Sequence, residues 1–220
     1  MKLLAIDTAT ERCSVALLVD ERVIERAAET PRGHADLVLP MVNDVLAEAG
    51  LTLRQLDGLA YGRGPGAFTG VRIAVGVAQG LAYGARLGTV GISDLAAVAQ
   101  QFAAAGAPIL VCMDARMNEV YWCRFATTPD GLVRATAPER VDRPGAVEPG
   151  DATVFAGTGF GAYPQLAAGR AGVAVHDAVL PHARDIARLA VAELRAGRAE
   201  PPERAQPVYL RDQVATVKPP

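Results

Sequence analysis

Between residues 62 and 73 the chain reads Gly-Arg-Gly-Pro-Gly-Ala-Phe-Thr-Gly-Val-Arg-Ile, with four glycines and a proline within nine positions. The segment joins a strand-like run, Leu59-Ala60-Tyr61, to a helix-like one from Val71 onward. Glycine admits tight turns and close approach of another chain or ligand to the backbone, while Pro65 fixes one φ within that freedom. A shaped loop at a helix N-terminus presents free N–H groups that favour an anion. An ordinary glycine-rich turn is the alternative that the residues leave open. No Gly-Lys-Ser/Thr follows, which excludes a Walker A loop, and the Gly-x-Gly-x-x-Gly spacing of a dinucleotide site is missing.

At 220 residues the chain can hold one large or two small domains. Half the residues are hydrophobic but only 5% aromatic, so the core must be built from Ala, Val, Leu and Ile. The net charge of −2 comes from interspersed acids and bases, which argues against a protein that grips nucleic acid unaided. Arginine far outnumbers lysine (Lys2 and Lys218), a coding bias. Cys13, Cys112 and Cys123 lie in apolar strand-like runs; an odd count without regular spacing gives buried thiols in a reducing compartment rather than a disulfide framework. The N-terminus lacks a long signal-peptide core, and no uninterrupted apolar stretch is long enough to span a membrane. A cytoplasmic protein with no membrane partner is expected.

Lys2–Ile6 reads as a central strand stopped by Asp7, followed by a hairpin, Ser14–Val19 and Arg22–Ala28, turning at Asp20-Glu21. From Ala35 to Ala49 the apolar residues Leu37, Val38, Met41, Val42 and Val45 recur at helical spacing, with Pro40 expected to bend the helix or mark its start. Thr52–Gln55 has the spacing of a capping box. A strand to Tyr61, the glycine loop and a second helix to about Tyr83 follow. On that helix Gly76, Gly80 and Gly84 share one face; glycine costs about 1 kcal/mol against alanine at each such site, so the face needs closeness to something. Packing under its own sheet and contact with another molecule are both open. Leu87–Gly91 reads as a strand, and Ser93 caps a helix through Ala105.

At Ala107 the pattern restarts. Pro108–Met113 is a strand ending in Asp114, Glu119–Ala126 a second, and Asp130-Gly131 a turn into a third. Leu4-Ala5-Ile6-Asp7 and Val111-Cys112-Met113-Asp114 therefore open two segments of the same plan. Ala152–Ala156 leads into a second glycine turn at 157–161, Val173–His176 is a late strand, Ala183–Ala196 an amphipathic helix, and the proline-rich tail from Pro201 is expected to lie extended on the surface. Strand, aspartate, loop and hairpin, repeated with helices between, describe an α/β protein of two ribonuclease-H-like lobes, 1–105 and 106–220, as in the actin, sugar-kinase and Hsp70 superfamily.

The chemistry-bearing residues are few. Asp7 stands where a metal-bound phosphate would sit, since clefts form at strand ends in such sheets. Actin-like ATPases carry Asp-x-Gly-Thr/Ser there, whereas this chain reads Asp7-Thr8-Ala9-Thr10, and the Ala9 side chain closes part of that space. Asp7, Thr8 and Thr10 are thus at most a weak, vestigial nucleotide site, the alternative being hydrogen bonds to their own loop. His34, His176 and His182 have no partners at His-x-x-x-His spacing, so no metal site is expected from this chain. No nucleophile elbow and no cysteine–histidine pair appear.

The N-terminal ten residues, the helix from His34-Ala35-Asp36 with Leu39-Pro40-Met41-Val42, the loop 62–73, Met113–Tyr121 and Pro207-Val208-Tyr209-Leu210-Arg211 together resemble the TsaB (YeaZ) family over nearly the whole chain. Within the loop the resemblance rests on Gly64, Pro65, Gly66, Phe68, Thr69, Gly70 and Arg72, with Ala67 where serine is frequent. It implies a non-catalytic partner in making N6-threonylcarbamoyladenosine beside the anticodon of tRNAs that read codons beginning with A. A paralogue, TsaD, performs the transfer with a metal held by a two-histidine motif, and ATP and metal are expected on it rather than bound tightly here. A small ATPase, TsaE, joins them, a homodimer is possible, and tRNA is met only within the complex. The partner interface is expected on Leu37, Val38, Met41, Val42, Val45, Gly76, Gly80 and Gly84. The alternatives are an M22-type metallopeptidase, as in older glycoprotease labels, and an actin-like small-molecule kinase.

Overall fold

Two mixed sheets built to one plan form the frame of the computed structural model, which describes residues 1–211. The first comprises β1 (Lys2–Asp7), β2 (Arg12–Val19), β3 (Arg22–Glu29), β4 (Gly58–Gly62) and β5 (Thr89–Ile92), in the order β3-β2-β1-β4-β5. The second comprises β6 (Ile109–Asp114), β7 (Val120–Thr127), β8 (Val133–Ala135), β9 (Arg140–Asp142), β10 (Val154–Ala156) and β11 (Ala174–His176). Its order β8-β7-β6-β10-β11 repeats the first, with β9 added against β7. The pairing directions also repeat: β1 is antiparallel to β2 and parallel to β4, as β6 is to β7 and β10. This is the duplicated actin-like plan expected from the sequence.

The helices depart from a simple cut between residues 105 and 106. α1 (His34–Ala49) and α2 (Phe68–Ala85) cover the outer face of the first sheet. α4 (Gly159–Ala162) is a single turn over the second, which Trp122, Phe155 and Phe160 fill instead. α3 (Asp94–Gln100) leaves the first sheet and packs on β6, β7 and β8, whereas α5 (Ala183–Arg195) leaves the second and packs on β1, β2, β4 and β5. The lobes thus exchange their last helices, and one core runs through Leu3, Ala5, Leu95, Val98, Ile109, Val111 and Ile186. Polar bonds fix the start of α5: Ser14 Oγ accepts the Ala183 N–H at 2.9 Å, and Arg12 and Gln101 both donate to the Leu180 carbonyl.

Several expectations are corrected. α1 starts at His34 on Gly33, whose φ of 93° provides the turn, and runs through Pro40 without a new start. The Ser93-capped helix ends at Gln100, with a short 3-10 turn over Ala103–Ala105. The tail is not free on the surface: Glu200 pairs with edge residue Thr89 through two 2.8 Å backbone bonds, Ala205 is buried, and Val208 donates to the Arg63 carbonyl at 2.7 Å. The remainder of the tail, residues 212–220, lies outside the described residues. Because the core spans both sheets, Leu95→Ala should destabilise the whole chain by about 2–5 kcal/mol. Fluorescence of Trp122 in the second lobe and far-UV circular dichroism should then report one coincident urea transition, shifted to lower urea; separate transitions would show lobes that fold independently.

Candidate functional site

The sequence places small residues where three segments converge at the C-terminal ends of β1 and β4. A Cβ at Gly66 would overlap the Ala9 carbonyl, one at Gly70 the Thr8 carbonyl, and one at Gly62 would stand 2.6 Å from Asp94 and 2.8 Å from Asp7. Hydrogen bonds lock the contact, with the Ala67 N–H donating to Ala9 O at 2.7 Å and Thr8 Oγ1 donating to Gly70 O at 2.6 Å. Gly64 has a φ of +97° and leads into a cis Gly64–Pro65 bond beneath Val208. The glycine loop therefore wraps the β1–β2 loop, and its glycines are required by the chain's own backbone.

Asp7 and Thr8, expected as part of a weak, vestigial nucleotide site, are held by contacts to their own loop and its neighbours. Both are fully buried, and the Asp7 carboxyl turns away from the cleft toward Asp94 at the start of α3. Asp7 Oδ1 accepts the Ala9 N–H at 2.8 Å, and Asp94 Oδ2 accepts the Gly64 N–H at 2.6 Å. That leaves Asp7 Oδ2 and Asp94 Oδ1 with no other partner. Two buried carboxyls side by side disfavour a second negative charge, so the pair holds a proton beyond the usual carboxylate range. Burial, then the charge and hydrogen bond of Asp7, push Asp94 well above the ordinary carboxylate range, and burial raises Asp7 as well. Thr10 is half-buried and its Oγ1 accepts the Arg12 N–H at 3.3 Å. As a scattered acid after a capping serine Asp94 reads as solvated surface, like Glu11 and Glu119, and the structure instead buries it fully.

Beside this plug, an open cleft of about 990 Å³ lies between the lobes, walled by the β1–β2 loop, the start of α1, Pro65–Val71, Met113–Arg116 and the tail Val208–Arg211. On the second-lobe side Asp114, the counterpart of Asp7, is partly exposed and accepts from Arg116 Nη1 at 3.0 Å. Arg116, Met117 and Asn118 are consecutive left-handed residues, a strained run of the kind that clusters at functional sites. Arg116 pairs with Glu11 at 3.2 Å and Arg211 with Glu119 at 2.5 Å at the cleft, Arg211 also donating to the Ala115 carbonyl, and Arg63 pairs with Glu139 at 3.0 Å elsewhere between the lobes.

The catalytic candidates excluded by spacing stay apart in space. His34 contacts the Thr10 carbonyl at 2.8 Å, His182 faces Glu25 at 3.1 Å, and the His176 ring packs on Phe102. No cluster of three histidine, cysteine, aspartate or glutamate side chains fit to hold a metal occurs among the described residues. All three cysteines are buried, which pushes the thiols of Cys13 and Cys123 up to about 11 and disfavours a nucleophilic thiolate. Among the described residues no helix is long and apolar enough to cross a membrane.

The expected partner face divides. Val38, Val42 and Val45 are buried against the first sheet and so do not reach an outer face, whereas Leu37 and Met41 pack partly on the same core and stay partly exposed. Gly76, Gly80 and Gly84 instead point outward, with nothing within 4 Å of a Cβ at any of them. Leu39 and Tyr83, missed by the periodicity, are the large apolar residues that α1 and α2 leave exposed besides Phe68.

Known proteins resemble this chain over its length. A family model described as tRNA N6-adenosine threonylcarbamoyltransferase, TsaD, matches residues 23–218. The tRNA threonylcarbamoyladenosine biosynthesis protein TsaB of Escherichia coli K12 is 42% identical, over 99% of this chain and 98% of its own length; that of Haemophilus influenzae is 38% identical, over 99% and 97%. YeaZ from Pseudomonas aeruginosa superposes with a TM-score of 0.87 at 44% identity, over 95% of this chain and 99% of its own.

In the folded state the Asp7–Asp94 pair keeps a proton that an unfolded Asp94 releases in the ordinary carboxylate range. Stability from this group is full at acid pH and falls as pH rises from that range toward the raised value, by about 1.4 kcal/mol per pH unit within the window. Asp94→Asn, whose amide mimics the protonated acid, should flatten this decline. Urea midpoints measured from about pH 5 to about pH 9 test it, and parallel profiles for variant and parent would disprove the retained proton.

Proposed function

The chain belongs to the TsaB family, and from that premise we propose that it acts as the non-catalytic partner of a threonylcarbamoyltransferase in N6-threonylcarbamoyladenosine synthesis on tRNA. The observation that carries the non-catalytic reading is Asp7. The aspartate that would meet a metal-bound phosphate is fully buried beside Asp94, accepts the Ala9 N–H, and lies under a loop packed backbone to backbone on residues 8–9. A separate subunit of the transferase type, TsaD, supplies metal, nucleotide and transfer chemistry, and this chain holds neither ATP nor a metal tightly. The complex works in the cytoplasm, tRNA meets the chain there, and TsaE joins the pair.

The partner docks on the outer ridge of α2. Gly76, Gly80 and Gly84 offer a bare row on which another helix can approach closely, with Leu39 and Tyr83 as the exposed apolar residues of the two outer helices. The same row supports a homodimer when the partner is absent. No observation favours the peptidase reading, whose paired histidines are missing, or the kinase reading, whose phosphate loop is closed.

Gly80→Leu tests the assignment with little risk to the fold, since a side chain there meets open space. The variant should keep the parent's urea midpoint and lose association with the transferase in a sizing experiment, where an interface of standard size buries roughly 1,600 Å². Threonylcarbamoylation of tRNA by the mixture should fall with it. A folded Gly80→Leu that binds the transferase and supports modification as the parent does would remove α2 from the interface.

A further inference from the structure

We propose that Phe68, Arg72 and Tyr209 form a stacking platform for an unpaired base of an RNA strand at the mouth of the cleft. The proposal rests on the tRNA-modification reading and adds to it a contact made by this chain itself. Phe68 opens α2 and Tyr209 lies on the returning tail, yet their ring centroids are 5.9 Å apart at an interplanar angle of 32°. The Arg72 guanidinium lies 3.3 Å from the Phe68 ring centre and 4.8 Å from that of Tyr209, held by an Nη1–H bond to the Phe68 carbonyl. Aromatics make up only 5% of the chain, and here two are left 58% and 46% exposed around a cation.

A guanidinium set among aromatic rings suits a base and its phosphate better than an apolar protein surface. Arg12, Arg116 and Arg211 are each paired with a carboxylate, whereas Arg72, beside the cleft lined by Glu11, Glu29, Asp114 and Asp177, forms no ion pair among the described residues. A guanidinium packed among partly exposed aromatic rings matches a base and its phosphate, because bases stack on aromatic rings and arginine planes while the cation meets the backbone. Position agrees. Phe68 and Arg72 continue, toward the start of α2, the four-residue row of Gly76, Gly80 and Gly84, so Gly76 lies about 12 Å along the helix from Phe68. A partner seated on that row ends beside the platform, and a strand held by the partner can reach it.

The test uses the full chain assembled with the transferase, with fluorescently labelled substrate tRNA as probe and assembly verified by sizing. Tyr209→Ala and Phe68→Ala should each weaken tRNA binding about tenfold and raise the KM for tRNA while kcat holds; Tyr209→Phe should bind as the parent does. Arg72→Gln should also lower the salt dependence of binding by about one ion. Unchanged tRNA binding in Tyr209→Ala, or an equal loss in Tyr209→Phe, overturns the platform. Loss of assembly in the alanine variants makes the cluster a protein contact and overturns it too. In a second arm the chain alone meets a six-nucleotide single-stranded RNA or AMP at low salt. RNA binding that Tyr209→Ala removes supports the platform even where no transferase complex forms, whereas AMP bound as tightly as the RNA contradicts it.

Discussion

The closure of the glycine loop on the β1–β2 loop is the contact on which the first lobe depends. Gly70 meets the Thr8 carbonyl and Gly66 the Ala9 carbonyl so closely that neither tolerates a Cβ. The bonds from Ala67 N–H to Ala9 and from Thr8 to Gly70 then set where α2 begins. One contact thereby decides two properties. It fills the space in which an actin-like protein would hold phosphate, and it aims α2 so that its row of glycines faces outward. The same few atoms thus bear on both halves of the proposed role, the closed phosphate space and the outward ridge.

The second lobe repeats the device in reduced form. After β10, Gly157 and Gly159 press on the Cys112 carbonyl near the end of β6, as Gly66 and Gly70 press on the end of β1. The helix that follows is one turn rather than five, and the outer face is closed by Trp122, Phe155 and Phe160. What makes one body of the two lobes is the exchange of α3 and α5, each covering the other's sheet. Ion pairs of Arg63, Arg116 and Arg211 add further links between the two halves of the structure.

Much of this was legible in the residues because strands announce themselves by short apolar runs and by aspartates at their ends. Asp7 and Asp114 marked the duplication, and the strand order confirms it. The helix exchange was not legible, since the apolar stripe of α5 says only that Ile186 and Leu189 are buried, not against which sheet. Periodicity likewise gave α1 one apolar face where packing needs an inner one, Val38, Val42 and Val45, and leaves Leu39 outside. Glycine is silent in the same way: the spacing of Gly76, Gly80 and Gly84 says that they share a face, and only the fold tells that this face is open rather than turned to the sheet. Asp94 and the meeting of Tyr209 with Phe68 depend on contacts far apart in the chain, which no local pattern encodes.

The central claim is that Asp7 shapes this protein and takes no part in the transfer reaction. Asp7→Asn preserves the bond from Ala9 and lets the new amide donate to Asp94, so the buried pair survives with its proton on the other partner. Steady-state threonylcarbamoylation of tRNA by the transferase, assembled with this variant, measures the claim directly. The account predicts kcat and KM within about twofold of those with the parent chain. A fall in kcat of about a hundredfold or more, in a variant that is folded and bound to its partner, would contradict it and return Asp7 to the chemistry.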